Sequence, residues 1–405
     1  MKTWPVGQLA AGKREEEVPL MTIAVNRTGA PGTESQPVAA PKSVPDGTVQ
    51  FLNIGGLELE AGGHLPDVTL AYETWGTLNR DGSNAVLIQH ALTGSTHVAR
   101  GHSDEEGWWE QLAGPGAPVD TDRYFVVSVN IVGGCYGSTG PSTAAPDGRP
   151  WGSRFPLVTL RDTTAAEARL ADVLGISSWY AVLGGSLGGA RALEWAVSFP
   201  QRVQRCGVIS IGAHSTAEQI AFAQAQTLAI RQDVNFRGGD YYGGAEPEAG
   251  LALARRIAHI TYRSAAELDT RFSRNPQNGE APLQAVSLGE RGRYQVESYL
   301  DHQGSKLVRR FDANSYISIT EALMSHDICR GRGALKDVLS RTSAEFFIAA
   351  VDSDRLYFPA QSRELAAALP GDVPVHVIQA PIGHDGFLTE IGQLSDQLRG
   401  NFFSK

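Results

Sequence analysis

Cysteine is scarce in this chain of 405 residues, and basic charge is in deficit. The three cysteines, Cys135, Cys206 and Cys329, lie far apart and form no C-x-x-C pair. That spacing supplies neither a disulfide framework nor a cysteine-based metal site, and an odd count of thiols fits a reducing cytoplasm. Cys135 sits in a glycine-rich loop, where a small packing residue is favoured over a catalytic thiol. Lys and Arg number 35 against 44 Asp and Glu, a formal net charge of −9. Nucleic-acid binders normally carry a basic excess or a basic face, so that class is set aside, while a local basic site for an anionic ligand stays compatible. No apolar run approaches the length of a membrane span, and the start carries no secretory signal pattern. Together these absences are those expected of a cytoplasmic protein that neither spans a membrane nor binds nucleic acid.

Apolar residues make up 42% of the chain, enough for a large core and an accessory layer. Residues 1–47 differ from the rest, with Gly, Pro, Ala, Ser and charge in no sustained period, and read as a disordered N-terminal arm. Met21 is an alternative start within it. Order is expected from Val49-Gln50-Phe51-Leu52, followed by the alternating run Val68–Trp75, together suggesting antiparallel strands at one sheet edge. Short apolar runs suited to buried parallel strands follow at Ala85–Gln89, Tyr124–Asn130, Trp179–Leu183, Gly207–Ile211, Phe346–Val351 and Val375–Gln379. Helical patterns such as Asp162–Leu174 and Ala190–Phe199 separate several of them, which predicts a mostly parallel, doubly wound α/β sheet.

The rhythm breaks between 214 and about 340. A capping box is predicted at Ser215 and Glu218, with Ile220, Ala223, Thr227 and Ile230 forming the stripe of the helix behind it. Further helical patterns occupy Ala249–Tyr262, Tyr294–Gln303 and Asn314–Ser325. Because strands resume afterwards, 214–340 reads as a helical lid inserted into one core made of 48–213 and 341–405. Such an insert would sit over the C-terminal strand edge, where sites of α/β sheets lie.

Chemistry is written in Leu183-Gly-Gly-Ser186-Leu187-Gly-Gly189. A strand leads into it and a helical pattern with Ala192, Trp195, Ala196 and Phe199 leaves it. The string alone is weak, since a glycine-rich βα turn has the same composition. In that setting, however, it matches the nucleophile elbow of α/β-hydrolase enzymes, in which glycines permit a strained turn that lifts the serine hydroxyl off the sheet. A serine needs a base, and the base needs an acid, in the chain order Ser, Asp or Glu, His. The strand Phe346–Val351 runs into Asp352 and Asp354, both candidates. Only His376 and His384 follow; His376 lies within a strand, which leaves His384, in a glycine-flanked loop, as the base. For the oxyanion hole, the backbone N–H after the nucleophile belongs to Leu187, and the loop His90-Ala-Leu-Thr-Gly94 after an early strand offers the Leu92 N–H. A plain turn around a buried His90 is the other reading of that loop.

At this point the chain resembles the homoserine O-acetyltransferases, in particular the actinobacterial type. The resemblance is carried by His90–Gly94, Asn130-Ile-Val-Gly-Gly-Cys-Tyr-Gly-Ser-Thr-Gly-Pro141, Trp151-Gly-Ser-Arg-Phe-Pro156, Gly184–Gly189, Ala190–Trp195, Leu268-Asp-Thr-Arg-Phe272, Ser353-Asp-Arg-Leu-Tyr357 and Gly383–Phe387. It runs from about residue 48 to the C-terminus. It implies an α/β-hydrolase core with a helical lid, a homodimer formed through the lid, and no metal or resident cofactor. It also implies acetyl transfer from acetyl-CoA to the hydroxyl of L-homoserine, an early step of methionine synthesis. By the motif, the acid is Asp354, the substrate-binding residue after the histidine is Asp385, and the carboxylate-binding arginine is Arg255. On the predicted helix, Arg255, His259 and Tyr262 share a polar face, with Leu253, Ile257 and Ile260 opposite for packing. Arg255 suits a carboxylate and Asp385 an ammonium, and Tyr262 joins them as a substrate-binding candidate.

Two positions depart from the family pattern. Leu187 replaces the usual Met, which is harmless if only its N–H acts. Tyr136 replaces a polar residue, often Gln, in a loop expected to line the site, which opens the choice of acyl donor and acceptor. Relatives that use succinyl-CoA or accept serine share most of these motifs. A plain esterase or thioesterase would share the triad and differ only in lacking an acceptor site. A non-catalytic binding protein on the same fold would tolerate a missing triad member, and none is missing.

Overall fold

The computed structural model describes residues 44–284 and 287–403, so most of the expected arm over 1–47 lies outside the described residues. Where description begins, Asp46 and Gly47 are already tied down. The Asp46 carboxylate accepts the Gly76 N–H at 3.1 Å, and the Gly47 N–H donates to Thr74 O at 3.0 Å.

Eight strands form the central sheet: β1 (Gln50–Asn53), β2 (Thr69–Trp75), β3 (Ala85–Gln89), β4 (Phe125–Val129), β5 (Ala181–Gly185), β6 (Arg205–Ile209), β7 (Glu345–Val351) and β8 (Val375–Ile378). Their order across the sheet is β1-β2-β4-β3-β5-β6-β7-β8. β1 and β2 pair antiparallel, β2 meets β4 antiparallel, and every later pair is parallel. The alternating sequence of the first two strands thus ends up at an edge, while β3 and β5, buried at every position, fill the middle. The pleat sends Leu87, Val127, Val182 and Val208 into one core layer and Val86, Val126, Leu183 and Ile209 into the other. The first layer is covered by α1 (Leu160–Val173) and α2 (Leu187–Ser198), the second by the C-terminal helix.

Chain order reverses at β3. β4 lies on one side of it and β5 on the other, so the C-terminal ends of β3 and β5 flank a topological switch point. In open α/β sheets that crevice is where ligands bind.

Between β6 and β7 the described chain adds no strand to the sheet. It forms α3 (Ala217–Arg231), α4 (Glu248–Tyr262), α5 (Ala265–Phe272), α6 (Gln295–Val308), α7 (Ala313–Met324) and the short α8 (Leu335–Leu339). The start of α3 differs from expectation. Thr216 caps it and exchanges hydrogen bonds with Gln219, while the Ser215 hydroxyl is spent on Leu323 O at 2.9 Å. Of the expected stripe, Ala223, Thr227 and Ile230 are buried, while Ile220 in the first turn stays 45% exposed. The packing face of α4 differs too. Leu251, Ala254, Ala258 and Thr261 are buried, whereas Leu253 and Ile260 are 48% and 41% exposed. Ala254 and Ala258 lie at the centre of the inner face, where α4 is packed between α3 and α6. After β7 come α9 (Pro359–Ala368), and after β8 α10 (Gly386–Thr389) and α11 (Ile391–Asn401). No described helix is long and apolar enough to cross a membrane.

Candidate active site

β5 delivers the chain into Ser186 at the N-terminus of α2, with φ 57° and ψ −125°. A positive φ in serine costs about 1–3 kcal/mol and persists only where its surroundings impose it. They do so through close backbone approach. A Cβ on Gly184 would stand 2.5 Å from the Gly188 carbonyl carbon, and one on Gly188 would collide with Gln89 O. The Ser186 N–H is fixed to Ile209 O at 2.9 Å. Its hydroxyl caps no helical N–H, so the field of the α2 N-terminus remains available to a reacting atom.

Of the two acids after β7, the structure brings Asp354 to the histidine. His384 Nδ1 lies 2.6 Å from Asp354 Oδ2, while Oδ1 accepts the Leu356 and Tyr357 N–H groups at 2.8 and 2.9 Å. Both residues are 3% exposed, and the rings of Tyr357, Phe387 and Tyr262 surround the imidazole at 5.3, 5.4 and 5.8 Å between centroids. Burial alone would lower the pKa of His384, but the charge and hydrogen bond of Asp354, with the charge of Asp385, hold it above the ordinary value. The Nδ1–H···Asp354 bond leaves Nε2 as the basic nitrogen. Among the described residues Ser186 Oγ and His384 Nε2 make no hydrogen bond, and neither atom is sealed from the cleft. Asp352 is exposed, and its carboxylate accepts the Ala380 N–H at 3.0 Å.

In the loop after β3 the turn is built around a buried histidine, as its plainer reading expects. His90 is buried; its Nε2 accepts the Ile131 N–H at 3.1 Å, and its Nδ1 lies 2.8 Å from Ala91 O. Burial, with Arg191 nearby, pushes its pKa down to about 3, so the ring is neutral and structural. What it holds is the turn closed by Gly94 N–H on Ala91 O, with Leu92 in the middle. Among the described residues neither the Leu92 nor the Leu187 N–H has a protein acceptor. Behind both loops lies a buried Glu167–Arg191 ion pair. The second Glu167 oxygen accepts from Gln89 Nε2 and Trp195 Nε1, each at 2.6 Å.

The helical segment between β6 and β7 carries further candidate residues. Arg255 on α4 is half-buried, its guanidinium 5.5 Å from the Tyr262 ring centroid, and it forms no ion pair among the described residues. Its charge is nonetheless felt at Asp385, Tyr136 and His259. Asp385 is raised above the ordinary carboxylate value by burial, against the opposing charges of His384, Arg263 and Arg255. Asp354, His384, Asp385, Arg255 and Tyr262 are thus linked in one group by contact and charge, and Phe387, which meets both the His384 ring and Gly185, joins that group to the Ser186 elbow. His259 is turned inward, 4% exposed, with Nδ1 3.2 Å from Tyr299 Oη. Tyr136 meets the lid as well: Arg310 Nη1 donates to its hydroxyl at 2.6 Å and to Thr93 O at 2.9 Å. Burial pushes the Cys135 thiol up to about 12, which makes it a neutral packing group.

Several positioning groups carried no sequence signal of their own. Ser353 accepts the Gly383 N–H at 2.9 Å and donates to Ala380 O, stapling the acid loop to the histidine loop. Arg310 and Glu167 act across 217 and 78 residues of chain, a separation that no local pattern reports. Among the described residues there is no cluster of side chains able to hold a metal.

A family model described as the alpha/beta hydrolase fold matches residues 84–390. The chain is 57% identical over 345 residues to the homoserine O-acetyltransferase of Thermobifida fusca (strain YX), covering 84% of this chain and 89% of the relative. In three dimensions it is similar to homoserine O-acetyltransferase from Bacillus anthracis, with TM-score 0.81 and 28% identity over 88% of this chain and 98% of the other. It is also similar to an acetylester hydrolase from Corynebacterium glutamicum, with TM-score 0.75 and 29% identity over 88% and 97% of the two chains. The chain belongs to the homoserine O-acetyltransferase family, on the α/β-hydrolase fold.

Proposed function

We propose that the protein transfers acetyl from acetyl-CoA to the hydroxyl of L-homoserine through an acetyl-enzyme at Ser186. The observation that carries this reading is Arg255, a half-buried cation with no ion pair among the described residues, packed on Tyr262 and felt at Asp385 beside the His384–Asp354 pair. In the first half-reaction His384 Nε2 takes the Ser186 proton as Oγ attacks the thioester carbon. The oxyanion is held by the Leu92 and Leu187 N–H groups, and the CoA sulfur leaves with the proton from His384. In the second, His384 takes the proton of the homoserine hydroxyl, which attacks the acetyl carbon, and Ser186 recovers its proton on release. Asp354 fixes the imidazole tautomer and stabilises its charged form throughout. Arg255 grips the acceptor carboxylate and Asp385 its ammonium, with Tyr262 walling the space between. No resident cofactor or metal is required, and acetyl-CoA is a co-substrate. The product would enter methionine synthesis.

Hydrolysis is the second reading, favoured by the similarity to an acetylester hydrolase. The triad serves water as well as an amino acid, so only the acceptor groups argue for transfer. Succinyl transfer and serine as acceptor belong to the same chemistry. A panel of acetyl-CoA and succinyl-CoA with homoserine, serine or water, followed by CoA release, separates them. Acetyl-CoA with homoserine should be fastest by an order of magnitude or more; release in water at the same rate would leave a thioesterase.

We also infer a homodimer through the lid. Ile220 and Leu228 on α3, and Leu253 and Ile260 on α4, are apolar side chains left 40–48% exposed, and burying them is the natural use of such a surface.

A further inference from the structure

The corner where α4 meets α5 is fastened to the loop that carries His384. The Ser264 N–H donates to Ile382 O at 3.1 Å and its hydroxyl to Pro381 O at 2.5 Å. Gly383, at φ 97°, lies against the same corner: a Cβ there would stand 2.6 Å from Tyr262 O and 2.7 Å from the Ser264 nitrogen. Arg263 projects from the middle of this joint. Its Nη2 lies 3.4 Å from Asp385 Oδ2, its Nη1 lies 3.7 Å from Glu267 Oε1, and its side chain is 13% exposed. The guanidinium also sits 5.9 Å from the Tyr299 ring centroid, which limits where it can swing. Asp385 makes no side-chain hydrogen bond among the described residues, so this contact is what orients its carboxylate.

We propose that Arg263 is a positioning residue for the acceptor, holding one oxygen of Asp385 so that the other is aimed into the cleft at the acceptor's ammonium. The inference rests on the acceptor role given to Asp385 above. A carboxylate free to turn loses orientation each time a ligand binds; one pinned at one oxygen has already given up that freedom. The contact is long enough to leave the carboxylate available. Glu267 draws on the same guanidinium from the other side, which keeps it from closing fully on Asp385. Charge runs in the same direction. Asp385, only partly exposed, is surrounded by His384 and Asp354, Arg255 and Tyr262 of α4, Arg263 at the corner and Tyr299 of α6. Burial and Asp354 favour its neutral acid, which cannot pair with an ammonium, while His384, Arg263 and Arg255 favour the carboxylate. Removing Arg263 should not strand Glu267, which keeps Arg271 at 3.5 Å.

The test is a double-mutant cycle on the full-length enzyme, read as KM for L-homoserine across pH and as acetyl-enzyme formation from acetyl-CoA alone. R263Q should raise KM about tenfold, more as pH falls, and slow acetyl-enzyme formation far less. Because Arg263 acts through Asp385, R263Q/D385N should be no worse than D385N within about twofold. R263K keeps the charge but loses the fork, and should raise KM about threefold. Full additivity of R263Q and D385N overturns the proposal, as does an unchanged KM in R263K. Should R263Q fail to fold, R263K and R263K/D385N complete the same cycle with the same criterion. If D385N itself leaves the homoserine KM unchanged, the acceptor reading falls with it. If D385N raises KM while both Arg263 variants do not, only the positioning role is lost.

Discussion

His384 is held by opposing influences, and their balance fixes how activity must depend on pH. The ring acts as a base only when neutral, so kcat/KM falls as pH drops through its pKa. Asp354 keeps that value above the ordinary 6.5, against burial, and the acidic limb should lie above that of an unperturbed histidine. Stability runs the other way. The charged pair contributes fully below the ordinary histidine range, and the contribution is lost as pH rises through the raised value. Asp354→Asn removes the charge and permits the wrong tautomer, so turnover should fall by about 10⁴ and the residual activity should show its acidic limb at lower pH. Asp352→Asn, which touches only a backbone N–H at the strand end, should stay within about threefold. Steady-state rates of the two variants from pH 5 to 9 check both statements; the reverse ranking would place the acid at Asp352. Arg255 is tested by separating half-reactions. Arg255→Ala should cost about ten- to a hundredfold in kcat/KM for homoserine, the worth of a charged hydrogen bond, and much less in acetyl-enzyme formation. Equal losses in both would move Arg255 to the CoA side or to lid structure.

At the scale of elements, sequence legibility followed how local the cause was. β3 was readable residue for residue, because a parallel strand buried on both faces must be a short apolar run. The elbow was readable because its strain demands glycines at fixed offsets from Ser186. His384 followed from chain order, but the choice between Asp352 and Asp354 needed the family motif: both stand at a strand end, and only the turn of Leu356 and Tyr357 around one of them distinguishes them. The inserted helices are legible as helices, and the face of α3 largely so, but the packing face of α4 is not. On α3 the cap lies one residue later than the Ser215–Glu218 pattern suggested, and on α4, packed between α3 and α6, Ala254 and Ala258 lie inside while Leu253 and Ile260 stay outside. Hydrophobic periodicity assumes that the largest apolar residues face the core, and a helix squeezed between two others breaks that assumption. One substitution tests the elbow directly: Gly188→Ala places a methyl group against Gln89 O, the residue that leads into the oxyanion loop. Activity should drop by at least two orders of magnitude even if Tm falls only modestly, because a 1 Å shift between nucleophile and donors is enough. Near-normal activity in that variant would show that the turn is not under constraint.

For the molecule as a whole, Ser186 and the loop after β3 lie at the sheet's switch point, and the proposed acceptor groups come from two parts of the chain, Arg255 from the inserted helices and Asp385 from the loop after β8. Those acceptor groups are how a fold shared with an acetylester hydrolase would serve transfer. The exposed leucines and isoleucines of α3 and α4 give the assembly prediction. Light scattering should report twice the chain mass, and Leu253→Asp with Ile260→Asp should shift it towards the single chain; an unchanged mass would remove the lid from the interface. Ser186 is proposed to carry the acetyl group and surrender it to an amino acid held by Arg255 and Asp385. Peptide mass spectrometry after mixing enzyme with acetyl-CoA, then chasing with homoserine, tests it in one experiment. An acetyl adduct should form on Ser186, be absent in Ser186→Ala, disappear on the homoserine chase as O-acetylhomoserine forms, and decay far more slowly in buffer. An adduct on Cys135, no adduct at all, or decay at the same rate with and without homoserine would contradict it.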